Sequence, residues 1–323
     1  MKRITTVIVA TFAMLLAIVP AHAQGTYPNR PVKVIVGVGP GSGADLLARI
    51  IAEEFQKMYG QPFIVENRVG ASAQIAAAFV KGQVPDGYTL YLTSNTSHSV
   101  NPHIFKKLPY DPIADFAPIG GIAYFPFLVA VNPNLPIHTP RDLVSWAHAN
   151  KGKATYAYGT PTVQIPAEAL NKLMKLEALG VPYKSSPAAM TDVMSGEVHF
   201  FVTDLASSQA QIKAGKLRAI AVTMAKRSAL APELPTIEES LGIKGYDLAA
   251  WTGLFGPAGL PQDIVAKLSA GLLEILNRPD MKDRLLKMGA EATPSNTKDF
   301  TALVKQQLEV WGQKVRDAGI QPE

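Results

Sequence analysis

The segment from Val32 to Gly60 constrains the fold of this chain more than any other stretch. Its first residues, Val32 to Val38, are mostly β-branched, which is typical of a strand buried on both faces. From Leu46 onward apolar residues recur at helical spacing, and Gly60 stands where the helix should end. A glycine-rich turn joins the two elements. The pattern predicts an α/β fold with helices on both faces of a sheet.

The glycine-rich turn predicts an anion-binding site. Glycines let the backbone approach a ligand closely, and the N–H groups at a helix start favour a negative group. The spacing Gly39-x-Gly41-x-x-Ala44 also fits a dinucleotide fingerprint, with Glu66 as a candidate ribose ligand. Pro40 argues against that cofactor because it removes an N–H group from the turn. An enzyme with a nucleotide cofactor is therefore the alternative interpretation and not the preferred one.

The N-terminus has the pattern of a secretory signal peptide. Lys2 and Arg3 precede an apolar run from Val7 to Val19, and Ala21-His22-Ala23 fits a cleavage site. About thirteen apolar residues are too few to span a bilayer. We predict cleavage after Ala23 and a periplasmic protein.

Composition excludes several other classes. The chain has no cysteine, so it contains neither a disulfide nor a thiolate metal ligand. The formal net charge is +5, and the basic residues are scattered rather than interleaved with aromatic ones. We therefore expect no nucleic-acid partner.

A unit of strand, small polar loop and helix recurs after the first helix. The strand Phe63–Glu66 leads through Gly70–Ala73 into a helix at Gln74–Lys81, and the strand Tyr88–Leu92 ends in Thr93–Ser97. In open parallel sheets, ligands collect at the carboxyl ends of the strands. These loops should therefore converge with the glycine-rich turn.

A second α/β unit begins near Pro126, and a mostly helical tail follows Trp251–Phe255. We predict discontinuous domains, 24–125 plus 250–323 for the first and 126–249 for the second. Two chain crossings between them make a hinge plausible, with a ligand cleft between the domains. The predicted strands of the second unit are Phe127–Val131, Thr155–Tyr158, His199–Val202 and Leu217–Val222.

The sequence offers no set of catalytic residues. No serine stands in a G-x-S-x-G elbow, and His98 and His103 miss the i, i+4 spacing of a helical metal pair. We therefore expect no enzyme activity, no cofactor and no metal. A secreted hydrolase using the same cleft stays as the other alternative. Hydroxyls, amides and helix starts around a cleft are the parts of a receptor for a carboxylate.

Short motifs in a fixed order run along the mature chain. They include Tyr27-Pro28-x-Arg30-Pro31-Val32, Pro40-Gly41-x-x-x-Asp45-x-x-Ala48-Arg49, Val65-Glu66-Asn67-Arg68-x-Gly70-Ala71, Pro85-Asp86-Gly87-Tyr88-Thr89-Leu90 and Val181-Pro182-Tyr183-Lys184. In their order and spacing the chain resembles the periplasmic solute receptors of tripartite tricarboxylate transporters, also called Bug-type receptors.

This resemblance implies a two-domain periplasmic-binding-protein architecture of the Venus flytrap type, with a mixed sheet in each domain and a hinge. It also implies a monomer that closes on a small organic carboxylate and delivers it to membrane permease subunits. Carried over by position, the expected ligand contacts are Gly41, Ser42, Gly43, Ala44, Asp45, Ala71, Ser72, Ser94, Thr96, His98, Thr160, Thr162, Thr203 and Asp204.

One departure from the family pattern bears on the ligand. Thr203-Asp204 stands where members commonly have an Asp-Asn pair. The aspartate of that pair suits an ammonium group, so its replacement predicts a ligand without an amine, unless Asp204 takes its place. A dicarboxylate, a tricarboxylate or an aromatic acid is expected.

Overall fold

The structure is a computed structural model that describes residues 27–322. The predicted signal peptide lies outside this range. The first βα unit forms as predicted: β1 spans Val32–Val36 and α1 spans Gly43–Tyr59. Gly60 ends α1 in the left-handed conformation with φ 69°, which a glycine adopts without steric cost.

The first sheet is built from both ends of the described chain. β1 runs parallel to β2 and β3, and β9 continues the sheet antiparallel to β3. The C-terminal tail therefore completes the sheet that the N-terminal segment begins. The other elements of this first lobe are β2 (Phe63–Asn67), α2 (Gln74–Lys81), β3 (Thr89–Ser94), α3 (Asn101–Ile104), β9 (Ala249–Pro257), α9 (Gln262–Asn277), α10 (Pro279–Met288), β10 (Glu291–Ser295) and α11 (Thr297–Ala318).

One long strand, β4, connects the two lobes. It spans Phe116–Val131 without interruption, so the expectation of a separate strand starting at Phe127 is wrong. Up to Pro126 the strand pairs with β9, and from Phe127 it pairs with β7 (Phe200–Asp204) and β8 (Arg218–Val222). A proline has no N–H group for the ladder, and here it stands where the strand changes partners.

The second sheet is also mixed. β5 runs parallel to β6 and β7, whereas β7 and β8 run antiparallel to β4. A mixed sheet in each lobe agrees with the predicted fold class. The elements of this second lobe are α4 (Pro140–Ala149), β5 (Thr155–Tyr158), α5 (Pro161–Met174), β6 (Leu179–Pro182), α6 (Ser186–Ser195), β7 (Phe200–Asp204), α7 (Leu205–Lys213), β8 (Arg218–Val222) and α8 (Ile237–Leu241).

The C-terminal helix α11 contacts both lobes. The imidazole Nε2 of His103, in the first lobe, lies 2.8 Å from the carbonyl oxygen of Leu308. The ammonium group of Lys172, on α5 of the second lobe, donates to the carbonyl oxygen of Asp317 at 3.0 Å. Within residues 27–322, no helix is both long and apolar enough to cross a membrane.

Candidate functional site

A small inner cavity of about 50 Å³ lies between the two lobes. It is lined from the first lobe by the start of α1 and the end of β3, and from the second lobe by the starts of α5 and α6 and the end of β7. Most of its polar groups are hydroxyls. The lining residues are Val38, Ser42, Gly43, Ala44, Ser94, Thr96, Phe125, Phe127, Thr160, Thr162, Val163, Ser186, Asp204, Ala250 and Thr252.

Ser42 stands at the N-cap of α1 and faces this cavity. Its backbone has the extended conformation of an N-cap, yet its side chain makes no cap hydrogen bond. The hydroxyl oxygen is buried and has no partner among the described residues. The first N–H groups of a helix also have no partner within the helix. A buried hydroxyl and free N–H groups therefore meet at the end of α1, where the helix dipole favours a negative charge.

The two lobes touch across the cavity through two threonines. The hydroxyl oxygens of Thr96, in the first lobe, and Thr162, on α5, lie 2.6 Å apart. Both residues are buried. This direct bond joins the two lobes across the cleft.

Two glycines of the turn allow this close approach. A Cβ atom added to Gly39 would lie 2.8 Å from Cβ of Ser185, and one added to Gly43 would lie 2.6 Å from Oδ1 of Asp204. Both neighbours belong to the second lobe. The turn predicted to hold an anion is thus also the surface on which the lobes close.

Asp45 has its carboxylate engaged within the first lobe. It accepts hydrogen bonds from the Gly41 N–H at 2.9 Å, from Arg49 at 2.9 and 3.0 Å and from Asn67 at 2.8 Å. Burial raises the pKa of this carboxyl, but the hydrogen bonds from Arg49, Gly41 and Asn67 outweigh it, so the pKa lies below its usual value. Asp45 and Gly41, both expected ligand contacts, instead shape the turn and line neither the inner cavity nor the larger outer cavity that adjoins it.

Asp204 lies at the end of β7 and faces the inner cavity. Its Oδ1 accepts from the Ser207 N–H at 2.8 Å and its Oδ2 from the Ser207 hydroxyl at 2.9 Å, so it caps α7. Burial raises the pKa of its carboxyl, against the effect of the Ser207 hydrogen bonds. Asp204 faces the cavity and can therefore take the place of the family's aspartate beside an ammonium group. The prediction of a ligand without an amine thus loses its basis.

His98 lies in the aromatic core of the first lobe and lines neither cavity. Its ring stacks on Phe255 with centroids 4.2 Å apart, and Phe116 lies 4.9 Å away. Its Nδ1 lies 2.9 Å from the Ser97 hydroxyl oxygen. Burial lowers the pKa of the imidazole to about 3, so the ring is neutral at physiological pH. We assign His98 a packing role.

Thr203 lines neither the inner cavity nor the larger outer cavity that adjoins it. It is fully buried, and its hydroxyl oxygen lies 3.3 Å from that of Ser207 at the start of α7.

A second, outer cavity of about 830 Å³ adjoins the inner one, and Val38, Thr96 and Thr160 line both. Of the expected contacts, Ala71 and Ser72 lie only here. Lys184, which was not among those contacts, is the one charged side chain among the described residues lining it. The remaining lining residues are Gly37, Val69, Gly70, Ala73, Ile104, Phe105, Tyr158, Gly159, Pro161, Gln164, Pro182, Tyr183, Ile320 and Gln321.

The turn Ala71–Ala73 has an unusual backbone. Ala71, Ser72 and Ala73 have φ values of 44°, 54° and 66°, a left-handed conformation that residues with a Cβ rarely adopt. Asn101 stabilises this turn, because its Nδ2 donates to the Ser72 carbonyl oxygen at 2.8 Å. Strained backbone of this kind concentrates at ligand sites.

Glu66, the candidate ribose ligand of a nucleotide cofactor, is engaged in ion pairs. Glu66 pairs with Lys33 at 3.5 Å and with Arg68 at 2.5 Å. Within the described part of the chain, no three His, Cys, Asp or Glu side chains are grouped to hold a metal ion.

Several lining residues were not anticipated from the sequence. Phe125 and Phe127 come from β4, Thr252 from β9, and Ser186 from the start of α6. Ser186 follows a strand in a small polar loop, which is the signal that identified the other loops. The β4 and β9 residues carry no local signal, because they reach the cleft only where the lobes join.

Solved structures of similar sequence share the fold of this chain. An R. palustris protein solved with adipate has 33% identity and a TM-score of 0.90, covering 92% of this chain and 100% of its own. The periplasmic binding protein BugD has 30% identity and a TM-score of 0.86, covering 92% and 100%. MatC from Rhodopseudomonas palustris, solved with malate, has 29% identity and a TM-score of 0.84, covering 90% and 100%.

These likenesses confirm the fold class and the Bug-type resemblance. The family described as "Tripartite tricarboxylate transporter family receptor" matches residues 47–320, nearly the whole described chain. The chain therefore belongs to the receptor family of the tripartite tricarboxylate transporters, a family of solute-binding proteins.

Proposed function

We propose that this protein captures a small organic carboxylate in the cleft and delivers it to the permease subunits of a tripartite transporter. The observation that carries the proposal is the buried, unpartnered Ser42 hydroxyl at the start of α1. A carboxylate there accepts hydrogen bonds from the hydroxyl and from free N–H groups. Such bonds to an ionised group contribute about 1.5–3 kcal/mol each.

The two cavities suit the two parts of such a ligand. The inner cavity, about 50 Å³, holds a carboxylate head and little more. The outer cavity, about 830 Å³, falls within the range of small-molecule sites and takes the body of the ligand. Adipate and malate, present in two similar structures, are both dicarboxylates and support this ligand class.

The architecture supports capture by closure. We assign residues 24–125 plus 250–323 to one domain and 126–249 to the other. The chain crosses between them at Pro126 in β4 and at Ala249, where β9 begins, and Ala249 pairs with Pro126. The two crossings lie side by side, which suits a hinge.

The remaining parts of the proposal rest on the family. Export to the periplasm, cleavage after Ala23, a monomeric state and permease partners follow from the receptor role. In this role the protein binds its ligand and releases it unchanged, without a cofactor or catalysis.

A thermal-unfolding screen over organic acids tests the function. A true ligand at 100 times its dissociation constant should raise the free energy of unfolding by about 2.7 kcal/mol. Adipate, malate, benzoate and glutamate form the panel, with the uncharged hexanediol as the control for adipate. Stabilisation by an acid, with the acid recovered unchanged, supports a receptor. Turnover of any acid, or stabilisation by none of them, would contradict the proposal.

A further inference from the structure

The carboxyl group of Asp204 lies between the first turns of two helices from opposite lobes. It caps α7, its own helix, through both oxygens to Ser207. Its Oδ1 also lies 2.6 Å from the position a Cβ would take on Gly43, the first residue of α1. In the closed arrangement, Asp204 therefore stands beside the end of α1 that the proposed ligand needs.

No basic side chain among the described residues of the inner cavity offsets the negative charge of an ionised Asp204. None of the described residues that line the cavity is a lysine, arginine or histidine. Asp45, the first acidic residue of α1, does not line this cavity. Its carboxylate accepts hydrogen bonds from Arg49. Lys287, on α10, lines a different surface cavity.

The other described residues that line the inner cavity have neutral side chains. These side chains are Ser42 and Ala44 from α1, Ser94 and Thr96 from the β3 end, Phe125 and Phe127 from β4, Thr160, Thr162 and Val163 from α5, Ser186 from α6, and Ala250 and Thr252 from β9. Asp204 is thus the one titratable group among the described residues lining the inner cavity.

A second carboxylate entering this cavity meets a like charge in a confined space of about 50 Å³. Like charges at such a distance favour the neutral form of one partner, and two carboxyl groups in one site share a proton. A protonated carboxyl also gains an O–H donor, which a ligand carboxylate can accept. Burial already favours the neutral form of Asp204, whose pKa it raises.

We propose that Asp204 takes up one proton when the carboxylate of the ligand enters the inner cavity, so that ligand capture is coupled to protonation of this residue. The coupling rests on the proposed function, because it requires a carboxylate ligand. It makes capture tighter in a more acidic medium. It also sets specificity. A ligand that binds beside a neutral Asp204 needs no ammonium group, whereas an ionised Asp204 would call for one.

Calorimetric titration with adipate, at about pH 7.5 in two buffers of different ionisation enthalpy, measures the proton uptake directly. At this pH the carboxyls of adipate are already ionised. The wild-type protein should take up about one proton per adipate bound, and the dissociation constant should rise up to about tenfold per pH unit between about pH 6 and about pH 8.

Asp204→Asn is the matched variant, because asparagine resembles a protonated carboxyl in shape and also caps helices well. It should bind adipate with no proton uptake and with little dependence on pH. Glu197→Gln removes an exposed carboxylate from the same lobe and should keep the uptake of the wild type.

Each other outcome has a distinct meaning. Saturable adipate binding without proton uptake in the wild type would overturn the coupling and leave the receptor function intact. Glutamate could instead bind more tightly than glutarate, with this difference lost in Asp204→Asn. That result would mean that an ionised Asp204 pairs with an ammonium group, and it would also overturn the coupling. If neither adipate nor any other acid of the panel bound, the proposed function itself would fail.

Discussion

The hydroxyl groups of Thr96 and Thr162 lie 2.6 Å apart, and this hydrogen bond joins the two lobes across the inner cavity. Thr96 follows β3 in the first lobe, and Thr162 lies in the first turn of α5 in the second lobe. Both side chains are buried, so water does not compete for the bond. The pair therefore stabilises the closed arrangement.

Thr162→Val should weaken ligand binding without unfolding the protein. The change keeps the shape of the side chain but leaves the Thr96 hydroxyl buried without a partner, which costs about 1–3 kcal/mol in the closed state. Calorimetric titration with adipate measures the effect. The double variant with Thr96→Val should lose less than the sum of the two single variants. Additive losses would mean that the hydroxyls do not interact.

Gly43→Ala should block closure. The added Cβ would lie 2.6 Å from Oδ1 of Asp204 and 3.2 Å from the ring of Phe125. Alanine is a better helix former than glycine, so α1 itself should not weaken. Small-angle scattering with adipate should show no compaction for this variant. Gly82→Ala, which meets no atom closer than 3.7 Å, should compact like the wild type. Full compaction of Gly43→Ala would contradict the assigned closure surface.

Asp45→Asn should destabilise the turn in a pH-dependent way. The variant loses charge-assisted hydrogen bonds to Arg49 and Gly41, worth about 2 kcal/mol together. The pKa of Asp45 is lowered in the folded protein, so its stabilisation is present above the pKa of the unfolded chain and is lost as the pH falls through the folded value. Urea unfolding should therefore separate variant and wild type at about pH 7 and show a smaller gap between them at about pH 3. An equal gap at both pH values would rule out the ionised carboxylate as the source.

Lys184→Met should weaken the binding of a dicarboxylate but not that of a monocarboxylate. The ammonium group lines the outer cavity, where the distal carboxylate of adipate is expected to reach. Because Lys184 is exposed, the loss should be modest, about twofold to fivefold in the dissociation constant of adipate. Hexanoate, which lacks the distal carboxylate, should bind equally to both proteins. Lys153→Met serves as the control for an exposed lysine of the same lobe. Equal losses for adipate and hexanoate would exclude this role.

Local patterns predicted most of the elements. The glycine at Gly60 fixes the end of α1 through contacts within one turn, so the sequence alone locates this helix end. The strand β10, Glu291–Ser295, was missed because it is short, shows no apolar alternation and forms only against β4. The sequence predicts a boundary at Pro126, although the strand continues through it.

The site was predictable only in part. Ser42 and Thr162 stand in small polar loops after strands, a pattern visible in the sequence, and the structure brings them to one cavity. His98 lies in a similar loop, yet its ring turns into the core, because the loop continues as a helical turn packed against Phe255. The approach of Asp204 to Gly43 depends on how two distant lobes meet, and no local pattern encodes it.

Calorimetric titration of Ser42→Asp against Ser42→Asn tests the carboxylate site most directly. Both residues are good helix caps of nearly the same shape, so both variants should fold like the wild type, and only the charge at the start of α1 differs. The account predicts that Ser42→Asn binds adipate within about tenfold of the wild type, whereas Ser42→Asp, which places a like charge against the ligand, shows no binding. Equal adipate affinity in the two variants would contradict a carboxylate site at the start of α1.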